Sequence, residues 1–212
     1  MQITKSILFF DTETTGLPSD KSHCWRPSDN EPNIVQLAWT WWKYTFEEWK
    51  LIDSKEEKFD LLFKSIKPIP AKLTEIHWIS DDMVKDCEFA SYSPKFLQFL
   101  TWTKEADILC GHNLFFDLNM VKIETRRMFE THNFQQRHQD SLEKTMDTMK
   151  ASVDLCKLPS KWRWKYKNPK LSELYQFLFN EDFDNAHNAF ADIEATQRCF
   201  FDLVERKCFI LS

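Results

Sequence analysis

A chain of 212 residues that is 42% hydrophobic, with 19 Phe and 9 Trp, carries core enough for one domain over 1–212 and is too apolar to be disordered. Its formal net charge of −5 excludes bulk electrostatic attraction to nucleic acid, so such a partner must be held by a local basic patch or through metal ions. No run approaches the roughly 18 apolar residues of a membrane span, no segment reads as a signal peptide, and the six cysteines form no C-x-x-C pair, so a cytoplasmic protein with reduced thiols and no membrane contact is expected.

The first strong element is Ile7-Leu8-Phe9-Phe10, which runs straight into Asp11-Thr12-Glu13-Thr14-Thr15-Gly16-Leu17. A continuous apolar run of this length reads as a strand covered on both faces. Side chains alternate along a strand, so Asp11 and Glu13 point the same way. Two carboxylates at the end of a buried strand repel each other and lose hydration, which a divalent cation would offset; the plainer alternative is a solvated acidic turn. Gly16 and Gly111 are the only glycines, hence the only positions where a positive φ carries no steric cost, and both adjoin acidic motifs.

Residues 18–32 carry three prolines and no periodicity, and read as a loop. The stretches 33–44 and 49–63 are strand-like and are expected to pair as an antiparallel hairpin. Pro70–His77 and Pro94–Lys104 read as helices with proline near the start. Asp107–Cys110 is a short strand ending at Gly111-His112-Asn113. Leu114, Leu118, Val121, Thr125 and Met128 then recur at helical spacing, with Asp117 on the edge of the apolar stripe, where it needs a partner. Residues 145–150 suggest one more edge strand, and 171–179 and 189–207 two more helices. Strands first and then strand–helix alternation indicate an α/β fold, a mixed sheet with helices on its faces.

Asn188 is a good N-cap for the last helix. On one continuous helix, His187 and Asp192 would lie about 140° apart, so they share a site only if His187 precedes the helix.

Together these segments carry a resemblance. Asp11-x-Glu13-Thr14-Thr15-Gly16, His112-Asn113-x-x-Phe116-Asp117 and His187-x4-Asp192 followed by Ala195-Thr196 are similar, in order, to the three motifs of the DEDDh (DnaQ-like) 3′–5′ exonucleases, the group that includes the proofreading epsilon subunit of bacterial DNA polymerase III. The resemblance implies a ribonuclease H-like fold with a five-stranded mixed sheet flanked by helices. It implies two divalent ions, Mg²⁺ or Mn²⁺, with Asp11, Glu13 and Asp192 on one, Asp11 bridging to a second, Asp117 serving that second ion, and His187 as general base. It also places Thr14, Thr15 and Leu17 near the substrate 3′ end, with Asn113 and Phe116 alongside; for Phe116 core packing is the equal alternative. Members often read Ile-His-Gly-Ile-Thr where this chain has Ile76-His77-Trp78-Ile79-Ser80, which implies that the backbone there makes no close approach.

The only concentrated basic stretch, Lys161-Trp162-Arg163-Trp164-Lys165-Tyr166-Lys167, alternates cations with aromatics in the manner of single-strand binding. An exposed edge guarded by lysines is the alternative. The expected activity is 3′–5′ hydrolysis of single-stranded DNA or frayed duplex ends. RNA, as for ribonuclease T-like relatives, is the second reading, and a non-catalytic accessory module the third. Processivity and targeting would come from a protein partner unless the enzyme stands alone.

Overall fold

The computed structural model describes residues 2–18, 31–129, 144–161, 165–183, 188–209 and 211. In chain order the elements are β1 (Gln2–Thr14), β2 (Ile34–Glu47), β3 (Lys50–Leu62), α1 (Ala71–His77), α2 (Asp81–Val84), a 3-10 turn (Ala90–Tyr92) and α3 (Pro94–Glu105). There follow β4 (Ile108–Gly111), α4 (Leu114–Phe129), β5 (Thr145–Asp147), α5 (Thr148–Ala151), α6 (Val153–Cys156), α7 (Leu171–Phe179) and α8 (Ala189–Glu205).

Among the described residues the strands form one five-stranded sheet in the order β3-β2-β1-β4-β5. The hairpin expected of the second and third strands is present: β2 pairs antiparallel with both β1 and β3, while β4 runs parallel to β1 and to β5. The mixed α/β sheet inferred from the sequence is therefore the observed one. The edge strand β3 carries Lys55, Glu56, Glu57 and Lys58 in succession, a charge density that deters pairing with another chain.

Alternation along β1 divides the core. Leu8 and Phe10 pack with Phe96, Phe99, Leu114 and Val121 of α3 and α4 on one face. Ile7 and Phe9 pack with Ile193, Phe200 and Val204 of α8 on the other. Edge-to-face ring contacts, Phe10–Phe99 at 5.3 Å and Phe9–Phe200 at 5.2 Å, seal the two layers. Each such side chain, fully buried, contributes about 1.5–3 kcal/mol. The apolar run that marked β1 in the sequence is thus covered on both faces.

The segment 145–150 differs from expectation. Only Thr145–Asp147 is strand, because Asp147 Oδ1 accepts the Met149 N–H at 3.0 Å and caps a short helix. Of the two glycines, only Gly16 uses a positive φ, 156°. Gly111 sits in close quarters instead: a Cβ there would lie 3.0 Å from Leu114 Cδ1 and 3.2 Å from the Phe10 carbonyl oxygen, so its neighbours would have to give way. The free cysteines among the described residues are Cys87, Cys110, Cys156, Cys199 and Cys208.

Candidate active site

The carboxyl ends of β1, β4 and β5 lie on one edge of the sheet, where open α/β sheets place their ligand crevices. Asp11 and Glu13 leave β1 with the parity of Ile7 and Phe9, toward α8. There they meet Asp192 in the first turn of that helix. One carboxylate oxygen from each of Asp11, Glu13 and Asp192 falls within 4.8 Å of the others. Among the described residues no other group of His, Cys, Asp or Glu side chains converges this way.

Thr12, between the two acids, has the opposite parity and faces α4. Its backbone N–H and its hydroxyl both donate to Asp117 Oδ1, at 3.1 and 2.7 Å. Asp117 is only 3% exposed. The fourth carboxylate therefore reaches the site from the other face of the sheet, and it has the partner that its place on the apolar stripe demanded.

The electrostatics follow from crowding. Burial, then the charges of Asp117, Asp192 and Glu13, hold the Asp11 carboxyl well above the usual range. Burial and the charges of Asp192 and Asp117 push Glu13 up to about 8. Asp117 rises to about 7 through burial, against the lowering effect of the two Thr12 hydrogen bonds. Acids this strongly destabilised as anions form a set that a cation could stabilise.

The backbone frames the cluster. A β-bulge falls between Glu13 and Thr14, where β2 advances from Gln36 to Ile34, and bulges of this kind re-aim the residues beside active sites. At α8, Asn188 Oδ1 accepts the N–H groups of Phe190 and Ala191 at 3.1 and 3.2 Å, and Gln36 Oε1 accepts that of Ala189 at 3.3 Å. The Asp192 N–H already bonds to the Asn188 carbonyl. These bonds satisfy the first N–H groups of α8 and so fix the backbone turn that carries Asp192.

The remaining candidates fare unevenly. His187 lies outside the described residues, as do Trp162, Arg163 and Trp164. The Thr14 hydroxyl donates to the Gly16 carbonyl, and Thr15 Oγ1 accepts the Asn33 N–H, so both threonines shape the turn. Leu17 is 76% exposed at its tip. Asn113 is exposed in the left-handed region at φ 65°, with its N–H bonded to Asp147 Oδ1. Phe116 is half-buried and packs against the α3–α4 core, while its neighbour Phe115 is exposed. Lys165 is exposed with its ammonium over the Tyr166 ring, and Lys167 is paired with Glu173.

Trp78 closes α1 at φ 63° and ψ 8°, donating its N–H to the Thr74 carbonyl at 2.8 Å. The chain keeps the left-handed cap that a glycine would adopt freely, at a cost of about 1–2 kcal/mol. Sequence reasoning passed over Thr12, Gln36 and Thr148. Strand parity alone was enough to oppose Thr12 to the face that carries Asp11 and Glu13. For Gln36, which bridges Asp60 and Ala189, no local signal existed. Nor did one exist for Thr148, whose hydroxyl donates to the Gly111 carbonyl.

Comparison with known proteins adds an independent finding. The sequence model of the exonuclease family, RNase T type, matches residues 8–200, a span that holds all four carboxylates. The PolC-type DNA polymerase III of Bacillus subtilis (strain 168) is 25% identical over 192 residues, which are 91% of this chain and 11% of that polymerase. Exonuclease X in complex with 5′-overhanging duplex DNA superimposes with a TM-score of 0.54 at 18% identity, covering 96% of this chain and 94% of that one. The zinc-bound complex of E. coli exonuclease I with single-stranded DNA gives 0.62 at 18% identity, covering 96% of this chain and 41% of that one.

Proposed function

This chain belongs to the exonuclease family of RNase T type, the DnaQ-like 3′–5′ exonucleases, and from that premise we propose that it releases nucleoside monophosphates from the 3′ end of single-stranded DNA or of a frayed duplex. The observation that carries the reading is the convergence of Asp11, Glu13 and Asp192 at the end of β1, with Asp117 held beside them by Thr12.

The donor set suits a hard divalent cation, since it is all carboxylate and three of its acids are driven toward the protonated form by burial. Asp11, Glu13 and Asp192 would hold one Mg²⁺ or Mn²⁺; Asp11 would be shared with a second, which Asp117 serves. Such ions, held there, would supply activation of the attacking water and stabilisation of the leaving 3′ oxygen. His187, just ahead of α8, takes the proton from that water, a task suited to an unperturbed pKa of about 6.5.

Leu17 and Phe116 border the terminal nucleotide, on the turn shaped by Thr14 and Thr15 and beside Asn113. Trp162, Arg163, Trp164 and Lys165 grip the strand behind it by stacking and phosphate contact. DNA is favoured because both solved relatives named above were captured with DNA. The whole of 1–212 serves as one catalytic domain, and a protein partner supplies targeting. The free cysteines among the described residues suit a reducing compartment, the cytoplasm, and no helix of those residues is long and apolar enough to cross a membrane.

The test is a time course on 5′-labelled single-stranded DNA and its RNA counterpart, with Mg²⁺, with Mn²⁺ and with EDTA. A metal-dependent ladder that shortens from the 3′ end, faster on DNA, is expected. Faster loss of RNA would move the substrate to RNA, and no cleavage of either would leave the family membership describing only the fold.

A further inference from the structure

The strongest group that catalysis leaves unused is a buried ion pair on α4. Glu124 is 1% exposed, and its Oε1 accepts from Arg127 Nη1 at 2.7 Å, from Asn33 Nδ2 at 3.1 Å and from the Ile34 N–H at 3.2 Å. Arg127 also donates from Nη1 to the Pro32 carbonyl at 2.9 Å and from Nη2 to the Glu31 carbonyl at 2.8 Å. A buried ion pair is a poor source of net stability, because desolvation offsets its attraction, so its use lies in the geometry it fixes.

What it fixes is the short stretch from Glu31 to Asn33 that leads into β2. Asn33 donates its N–H to Thr15 Oγ1 at 2.9 Å, and its carbonyl accepts the Thr15 N–H at 3.0 Å. Its side-chain Oδ1 accepts the Ile66 N–H at 3.1 Å. Thr15 opens the turn whose tip is the exposed Leu17. Glu124 stands seven residues beyond Asp117 on the same helix, two turns on and roughly 10 Å along the same face. One rigid helix thus carries a catalytic carboxylate at one end and a grip on the nucleotide-receiving turn at the other.

We propose that Glu124, Arg127 and Asn33 form a positioning clamp that sets the Thr15–Leu17 turn at a fixed distance from the carboxylate cluster, and so governs how tightly the 3′-terminal nucleotide is held. The inference rests on the exonuclease reading above. None of the three touches the substrate; they act through Thr15. Loosening the clamp therefore weakens substrate binding while the carboxylates and their metal affinity stay intact.

Two variants separate this from simple loss of folding. Arg127→Lys keeps the charge opposite Glu124 but cannot reach both carbonyls as a guanidinium does. The double variant Glu124→Gln/Arg127→Met leaves no unpaired charge inside and keeps an acceptor for Asn33 and Ile34, so the fold is retained, but it releases the Glu31 and Pro32 carbonyls and with them the stretch that carries Asn33. Both variants are expected to raise KM for a single-stranded oligonucleotide by ~10-fold, with kcat within about twofold of the parent and an unchanged half-saturating Mn²⁺ concentration. The Kd for an oligonucleotide with a hydrolysis-resistant 3′ phosphorothioate, read by fluorescence anisotropy, should rise by the same factor. Unchanged KM and Kd in both variants, or a fall in kcat with KM unmoved, would overturn the clamp. Failure of the unsubstituted protein to cleave any oligonucleotide would instead overturn the exonuclease reading, and the anisotropy series would still judge the clamp.

Discussion

Asp117 and Thr12, 105 residues apart in the chain, are joined by two hydrogen bonds to a single carboxylate oxygen, at 3.1 and 2.7 Å. The strand that supplies Asp11 and Glu13 to one face of the sheet thus anchors, through the residue between them, the acid that arrives from the other. Both bonds favour the ionised form of Asp117 against the burial that raises its pKa to about 7. Thr12→Val removes the stronger bond and keeps the backbone one. Asp117 should then hold its proton to higher pH and, as the proposed ligand of a second ion, bind metal more weakly. The expected result is a kcat lower by ~10-fold at neutral pH, partly restored at high Mn²⁺ or higher pH. A pH–rate profile at two Mn²⁺ concentrations checks it, and an unshifted profile would confine Thr12 to packing.

Crowded acids also make the metal-free protein sensitive to alkali. Folding raises Glu13 from 4.5 to about 8, Asp117 from 3.8 to about 7, and Asp11 well above its ordinary value, chiefly through burial. Between about pH 4 and 8 the native state therefore binds more protons at these sites than the unfolded chain does, and stability falls as pH rises. In EDTA the Tm should drop from pH 5.5 to pH 8, by about 2–4 °C for each kcal/mol lost. Mn²⁺ at pH 8 should restore it, because the ion favours the deprotonated acids. Asp11→Asn removes one repelling charge, so it should flatten the EDTA curve while lowering turnover ~10³-fold or more. Thermal denaturation at both pH values, with and without Mn²⁺, reads these outcomes. A pH-independent Tm in EDTA would show that the carboxylates are better hydrated than their burial implies.

The sequence made legible what depends on local pattern. The run Ile7–Phe10 marked the central strand, its alternation put Asp11 and Glu13 on one side, and Asn188 marked the start of the helix that carries Asp192. Hidden from it were contacts whose partners meet only in three dimensions. Gln36 lies 153 residues from the Ala189 N–H it accepts, and Asn33 is 91 residues from Glu124. Short-range capping also overrode propensity at Asp147, where a β-like stretch turns into helix. The two glycines marked where a positive φ is free of steric cost, and Gly16 uses one; at Gly111 the constraint is space beside Leu114 and the Phe10 carbonyl, which no dihedral argument reveals.

That distinction can be measured at Gly111. Replacing a glycine by alanine usually stabilises by about 0.4–1 kcal/mol where the backbone allows it. Here the added methyl would meet Leu114 Cδ1 at 3.0 Å and the Phe10 carbonyl, a backbone atom just ahead of Asp11, at 3.2 Å. Overpacking should win, so Gly111→Ala should lose about 1–3 kcal/mol and displace the start of α4 from β1. A fall in Tm accompanied by reduced turnover is expected. A rise in Tm would mean that Leu114 yields, and that the glycine is not required for close approach.

Gln36 makes the sharper prediction, because one buried side chain serves two elements. Its Nε2 donates to Asp60 of β3 at 2.7 Å, and its Oε1 accepts the first N–H of α8 at 3.3 Å, beside Glu13 in the β1–β2 register. Gln36→Leu fills the volume but leaves the Ala189 N–H buried without an acceptor, which costs about 1–3 kcal/mol. The helix start should loosen at the turn that carries Asp192, directly after His187. Weaker Mn²⁺ binding should therefore accompany the loss of stability, while Gln36→Glu, which still accepts from Ala189, should keep the helix start in place but set a new charge beside Asp60. Isothermal titration with Mn²⁺ on both variants, alongside their Tm values, separates the two effects. If Gln36→Leu lowers Tm yet binds Mn²⁺ as the parent does, Asp192 is held by the Asn188 cap alone.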